Sequence, residues 1–201
     1  MNNTVGSLTQ IQKSLIIGSI LGDGYLRIID GRQDAFLEIN HSFKAKDYVD
    51  WKFSILKNIC RSKPIFRKID NQRSAYRFFT RQYPEISDLF YKFYKQGKKI
   101  IPQDLKLDPL ILAVWFMDDG SKSRKNDVYL NSQQFSLTDQ KRLIYLLRQL
   151  GLRARLNRDK KYYRIRFLKE SISLLNKIIK PFIVPTMNYK LSYDPVETSS
   201  I

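Results

Sequence analysis

Residues 16–24 read Ile-Ile-Gly-Ser-Ile-Leu-Gly-Asp-Gly, and residues 112–120 read Leu-Ala-Val-Trp-Phe-Met-Asp-Asp-Gly. Each is an apolar run that stops abruptly in Asp-Gly, the pattern of a buried helix terminated at a turn. The final acids are Asp23 and Asp119. A chain of 201 residues therefore reads as two similar halves, each ending one helix on a carboxylate. Gly18 and Gly22 lie four apart and share a helix face, so a second helix can approach there closely. If the second motif helix packs on that face, Asp23 and Asp119 meet. Two carboxylates at a shared site repel unless a cation or a proton intervenes. Hard oxygen donors of this kind suit Mg²⁺, which keeps waters and takes phosphate oxygens. Asp-Gly is also an ordinary turn dipeptide; its recurrence at matched positions argues for a site.

Outward from the motifs, the chain reads as α-β-β-α-β-β-α, twice, an α+β class with antiparallel sheets. Thr9 caps the first helix, with Gln12 as its capping-box partner. Strands are expected at 25–29 and 35–41 around the Asp30-Gly31 turn, then a helix over 44–60. A hairpin over 64–69 and 73–80 turns at Asn71-Gln72, and a helix opens at Pro84 and closes at Gly97. In the second half, Asp108-Pro109 starts the motif helix and a strand covers about 127–133. Ser136 and Asp139 cap a helix ending before Gly151, a hairpin spans 153–167, and a last helix runs from about 170 to 180. The expected division is 1–97, a connector over 98–107, and 108–201.

The net charge is +17, from 36 Lys+Arg against 19 Asp+Glu. Self-repulsion on that scale points to a polyanionic partner, nucleic acid before any membrane surface. No apolar run approaches the ~18 residues of a membrane span, and the N-terminus has no signal-peptide core. A single cysteine, Cys60, excludes a disulfide framework and a Cys-based zinc site. The only histidine, His41, excludes His-rich metal sites and argues against a His-dependent triad.

Strand alternation places Arg153 and Arg155 opposite Ala154 and Leu156. It likewise places Arg164 and Arg166 opposite Ile165 and Phe167. In the first half Arg73, Arg77 and Arg81 share one face, and Tyr76 and Phe78 the other; Arg27 and Arg67 extend the cationic set. Solvated sheet faces usually mix charges. Faces so rich in arginine fit a duplex platform, where a β-ribbon enters the major groove and Arg reads guanine bidentately.

These motifs resemble those of LAGLIDADG homing endonucleases in the single-chain, two-motif form, close to the branch of mitochondrial large-rRNA-intron endonucleases. The resemblance extends to Lys98-Lys99-Ile100-Ile101-Pro102, Leu130-Asn131-Ser132-Gln133 and Pro185-Thr186-Met187-Asn188-Tyr189-Lys190-Leu191. It implies two pseudo-symmetric αββαββα halves whose motif helices form the interface and whose four-stranded sheets form a saddle on DNA. It also implies a monomer that cuts both strands across the minor groove at a long, asymmetric site, using Mg²⁺, for which Mn²⁺ should substitute. By resemblance Asp23 and Asp119 are the metal ligands, and Lys99 and Lys190 the basic residues beside each active site. His41 and Gln133 occupy the family's water-holding position. Strand register decides whether Asn40, His41 or Ser42 faces the site.

The sequence departs from the family pattern at Val114, where the first motif has Gly18, and at Leu21 and Met117, which replace the first Asp of the name motif. The Gly18–Val114 difference makes the interhelix contact asymmetric and wider there. Asp118 points about 100° away from Asp119 on a helix and reads as a helix-end residue making a local contact. The unequal halves imply that the two strands need not be cut at equal rates. The alternative function is an RNA maturase that binds intron RNA on the same scaffold and does not need the two acids. A DNA-binding regulator is the weaker third reading. Abundant Ile, Lys and Asn fit an AT-rich coding genome, in an organelle (mitochondrion or chloroplast) or a bacterium; neither host nor compartment follows.

Overall fold

The computed structural model describes residues 7–70, 73–123 and 127–191. The first motif forms α1 (Gln10–Leu21), opened by the expected capping box between Thr9 and Gln12 and ended at Gly22. The second forms α4 (Pro109–Asp119), capped by Asp108, whose carboxylate accepts from the Ile111 N–H at 2.8 Å. The two helices pack side by side and run in the same direction. Ser14 on α1 donates to the Asp108 cap at 2.5 Å, and at the other end the Asp23 N–H donates to the Asp118 carboxylate at 3.2 Å. Between these contacts a Cβ on Gly18 would lie 2.7 Å from Val114 Cβ and 2.8 Å from Ile111 O. The contact at Val114 is therefore tight rather than widened, because glycine on one helix receives the larger residue of the other.

The first half adds β1 (Tyr25–Ile28), β2 (Ala35–Ser42), α2 (Lys46–Leu56), β3 (Ile65–Lys68), β4 (Ser74–Phe79) and α3 (Pro84–Phe93). Its sheet has the order β1-β2-β4-β3. The second half adds β7 (Gly120–Lys122), β8 (Val128–Leu130), α5 (Leu137–Gln149), β9 (Ala154–Asp159), β10 (Tyr162–Phe167) and α6 (Ile172–Ile179). Its sheet has the corresponding order β7-β8-β10-β9. The two halves thus share one topology, with all sheet pairs antiparallel. One apolar core runs through both, centred on Leu15, Ile16, Ile20, Trp115 and Phe116. No helix among the described residues is long and apolar enough to cross a membrane.

Several boundaries differ from expectation. Gly97 does not close α3, which stops at Phe93. Instead Gln96 (φ +50°) and Gly97 (φ +74°) form the two-residue turn of a small hairpin, β5 (Tyr94–Lys95) and β6 (Lys98–Lys99), the geometry that positive φ at both turn positions produces. The 97/98 boundary therefore falls inside a hairpin. Beyond it Ile101 and Leu105 are buried, and the Ile101 N–H bonds the Asp139 carboxylate at 3.1 Å, so residues 98–107 are packed rather than loose. The short strand β7 went unpredicted, and β8 ends at Leu130 instead of 133, where its partner strand gives way to α4, although the Asn131 N–H still bonds Asp119 O at 3.0 Å. The Asn71-Gln72 turn lies outside the described residues.

Candidate active site

Asp23 and Asp119 reach the site by different routes. Asp119 is the last residue of α4. Asp23 lies two residues beyond the end of α1, after Gly22, whose N–H closes the helix onto Gly18 O and Ser19 O. With Lys99, Asn131, Gln133 and Gln134 they line one cleft of about 560 Å³. Burial raises both carboxyl pKa values. For Asp119 the charges of Asp23 and Asp118 add to burial and push it to about 8; for Asp23 the further cause is Asp118. Burial also pulls the Lys99 ammonium down to about 8 and lowers Lys190, each opposed by the surrounding carboxylates.

Both lysines act on backbone carbonyls at the motif ends. Lys99 Nζ donates to Gly22 O at 2.8 Å. Lys190, carried by the C-terminal 3₁₀ segment Pro185–Lys190, donates to Met117 O and, at 3.1 Å, to Asp118 O. A cation at a helix C-terminus satisfies orphan carbonyls and opposes the negative end of the dipole.

His41 sits on the helix-facing side of β2. Register puts it opposite Tyr76, and its ring lies 5.3 Å from that of Tyr48 on α2. Nδ1 is 3.7 Å from Asp23 Oδ2, and Nε2 is 3.7 Å from Asp118 Oδ1. Burial, reinforced by the Lys52 charge, lowers its pKa to about 4, so the imidazole is neutral. Nε2 is buried without a hydrogen-bond partner. Asn40 and Ser42 have the opposite parity and are exposed, Asn40 lining a separate groove with Arg67 and Arg77.

On the other side Gln133 and Gln134 both line the cleft, but it is the Gln134 amide that reaches Leu21 O at 3.0 Å and Asp119 Oδ2 at 3.5 Å. The strand has already ended at Leu130, so strand alternation does not govern which glutamine points inward. This is why sequence overlay missed Gln134.

The larger surprise is Asp118. Its side chain is wholly buried and makes long-range contacts, not a local one. Tyr48 OH donates to it at 2.8 Å, and Lys52 Nζ at 3.0 and 3.1 Å. Lys52 is itself fully buried, and burial and Asp118 together raise the Tyr48 phenol well above its usual range. A signal existed in the sequence: Tyr48, Lys52 and Leu56 fall at i, i+4 and i+8 on the buried stripe of α2, where an unpaired lysine is not tolerated.

The arginine faces are less uniformly cationic than alternation alone suggests. Pairing register puts Tyr25, Arg27, Glu38, Arg67, Arg77 and Phe79 on the open face of the first sheet, while Phe78 packs on Phe53 of α2. Arg27 pairs with Glu38 at 3.4 Å and Arg73 with Asp70 at 2.7 Å. On the second sheet Arg166 pairs with Asp127 at 2.6 Å, Arg164 with Asp159 at 3.8 Å and Arg153 with Glu170 at 3.2 Å. Arg164 also stacks 3.9 Å from the Tyr129 ring centre. Arg155 shares the open face with Arg166. Arg81 lies beyond β4, which ends at Phe79; it lines a cleft with Arg32, Arg61 and Phe36.

Two matching αββαββα halves, helix-end acids in one cleft and open sheet faces carrying arginine define a two-motif nuclease fold. Residues 13–175 match the model of the LAGLIDADG DNA endonuclease family, and the chain belongs to that family. It is 31% identical to the cytochrome b mRNA maturase bI2 of Saccharomyces cerevisiae over 95% of its length, spanning about half (49%) of that relative. It is 29% identical to the DNA endonuclease I-ChuI of Chlamydomonas applanata, covering 92% of this chain and 96% of that one. Among solved structures, the homing endonuclease I-WcaI bound to its DNA recognition sequence matches with a TM-score of 0.86 at 27% identity, over 94% of this chain and 89% of that one.

Proposed function

We propose that this protein is a site-specific double-strand DNA endonuclease of the homing type, acting as a monomer of two halves, residues 1–97 and 108–201 joined by 98–107. The observation that carries the reading is the meeting of Asp23 and Asp119, one from each half, in a cleft shared with Lys99. The donor set fits a hard divalent cation. Burial and neighbouring carboxylates raise the pKa of both its acids, and Nδ1 of a neutral imidazole lies 3.7 Å from Asp23 Oδ2. Asp23 and Asp119 would hold Mg²⁺, or Mn²⁺ in its place, and the ion would supply a more acidic water and charge stabilisation at the phosphate.

The chain's own groups do the rest. Gln134 steadies the Asp119 carboxylate and ties it to the end of α1. Lys99 and Lys190 hold the motif carbonyls and place positive charge beside the scissile phosphates. His41, neutral at working pH, is placed to accept a hydrogen bond or a proton from water near Asp23. Arg27, Arg67, Arg73, Arg77, Arg81, Arg153, Arg155, Arg164 and Arg166 position the duplex, phosphate contacts giving most of the affinity and base-edge contacts the selectivity. Cutting across the minor groove at a long site is what the family resemblance implies, and two unlike half-sites on one chain fit an asymmetric one.

Incubation with a randomised duplex library and Mg²⁺, followed by sequencing of the ends, tests the proposal: one enriched site cut on both strands is expected, and no enriched site refutes it. The yeast relative's name supports a second reading, intron RNA binding in splicing. Tight, specific retention of host intron RNA by the Asp23→Asn/Asp119→Asn protein in filter binding would support it, and weak, nonspecific retention would count against it.

A further inference from the structure

Asp118 is adjacent to Asp119, yet its carboxylate faces the helix interface. Oδ1 accepts from Tyr48 OH and Lys52 Nζ; Oδ2 accepts from Lys52 Nζ and, at 3.2 Å, from the backbone N–H of Asp23. These contacts fill the roughly four acceptor directions of a carboxylate, and the ammonium neutralises its charge. Asp118 thus has no lone pair to offer a cation, although its oxygen lies within 4.8 Å of donor atoms of Asp23 and His41. Both partners of the ion pair are 0% exposed. Desolvating two charges offsets most of what their attraction returns, so such a pair is weak support for stability and is better explained by specificity of arrangement.

We infer that Asp118 is a positioning residue: buried and neutralised by Lys52, its side-chain oxygen fixes the backbone of Asp23 through one hydrogen bond across the interface, and so aims the first half's acid. The inference rests on Asp23 being an active-site acid, as proposed above. Asp23 needs such a brace because it lies off the end of α1, whereas Asp119 is held by α4 itself. Gly22 admits the brace, since a Cβ there would lie 2.4 Å from Asp118 Cβ. The device exists once. Gly22 occupies the motif position that corresponds to Asp118 and has no side chain to return the bond. The second half's acid is steadied instead by Gln134 and Lys190.

Two double variants separate the ion pair from the acceptor it presents. Lys52→Met/Asp118→Leu removes charge and acceptor; Lys52→Met/Asp118→Asn removes the charge but keeps an amide oxygen for the Asp23 N–H. Amide hydrogen exchange of Asp23 in metal-free protein and the ratio of nicking rates on the two strands of a cognate plasmid are the readouts. With the leucine variant, Asp23 protection should be lost, and the strand ratio should shift by about 10–100-fold, the range in activity for losing a supporting contact behind a metal ligand. The asparagine variant should keep both near wild type. Equal behaviour of the two variants, or an unchanged ratio and protection in the leucine variant, overturns the inference. So does a wild-type Asp23 amide that exchanges freely, which decides the matter even if the leucine variant fails to fold. A wild-type protein that cuts no DNA would refute the endonuclease reading, while the exchange measurement would still test the brace.

Discussion

The ends of α1 and α4 carry the same two residues, Asp and Gly, and hold them by opposite means. At α4 the helix continues through Asp119, and Lys190 covers its last carbonyls. At α1 the helix stops two residues short of Asp23, and the backbone there is held from outside by Lys99 on Gly22 O and by Asp118 on the Asp23 N–H. A sequence repeat thus supplies matching carboxylates without matching supports.

The largest test of that comparison is removal of each acid. Asp23→Asn and Asp119→Asn should each reduce double-strand cleavage by at least about 10²–10³-fold, the scale of one lost preorganised contact to the transition state, without abolishing duplex binding. Full-rate cutting of both strands by either variant would remove that residue from the site. Next is Lys52→Met alone, which leaves Asp118 buried and unpaired. Chemical denaturation should show a loss of about 3–5 kcal/mol, largely recovered when Asp118→Leu is added. A cost under ~1 kcal/mol for the single variant, no more than an exposed ion pair contributes, would show that the pair is open to water.

Gly18→Ala follows. Its new methyl meets Val114 Cβ and the Ile111 carbonyl, neither of which is a flexible side-chain end, so overpacking should cost about 1–3 kcal/mol. Val114→Ala in the same chain should recover part of this; additive losses would mean the two positions are not in contact.

The pH dependence is smaller and has a definite sign. The Asp119 carboxyl is raised from 3.8 to about 8 in the fold. Folding therefore disfavours its ionised form, and metal-free stability should fall as pH rises from about 4 through 8. Mg²⁺ should accordingly raise the melting temperature more at pH 8 than at pH 5, and a larger gain at pH 5 would contradict the shift. Smallest is the contrast between the two sheets. Arg77 has no ion-pair partner among the described residues, while Arg166 is held by Asp127 at 2.6 Å. Arg77→Ala should flatten the salt dependence of duplex binding by about 0.9 in log–log slope, and Arg166→Ala by less. Equal slopes would show that the Asp127 pair opens on binding.

Much of this was legible in the chain. The helix-end acids, the capping box at Thr9, the Asp108-Pro109 start and the alternation of β4, β9 and β10 are local patterns, fixed by period and by cap chemistry. What escaped depended on where local patterns stop. Strand alternation could not choose between Gln133 and Gln134 because the strand ends at Leu130, nor place Arg81 because β4 ends at Phe79. Asp118 was misread because its partners, Tyr48, Lys52 and the Asp23 amide, are more than sixty residues away. Lys52 alone gave a local clue, a charge on an apolar stripe, and that clue named no partner.

The close fit of Gly18 to Val114 and of Gly22 to Asp118 also limits how the chain could be taken apart. Equivalent positions face each other across the interface, small against large. Two copies of the second half would press valine on valine and carboxylate on carboxylate, so that half, expressed as a separate chain, should pair with the first in preference to itself.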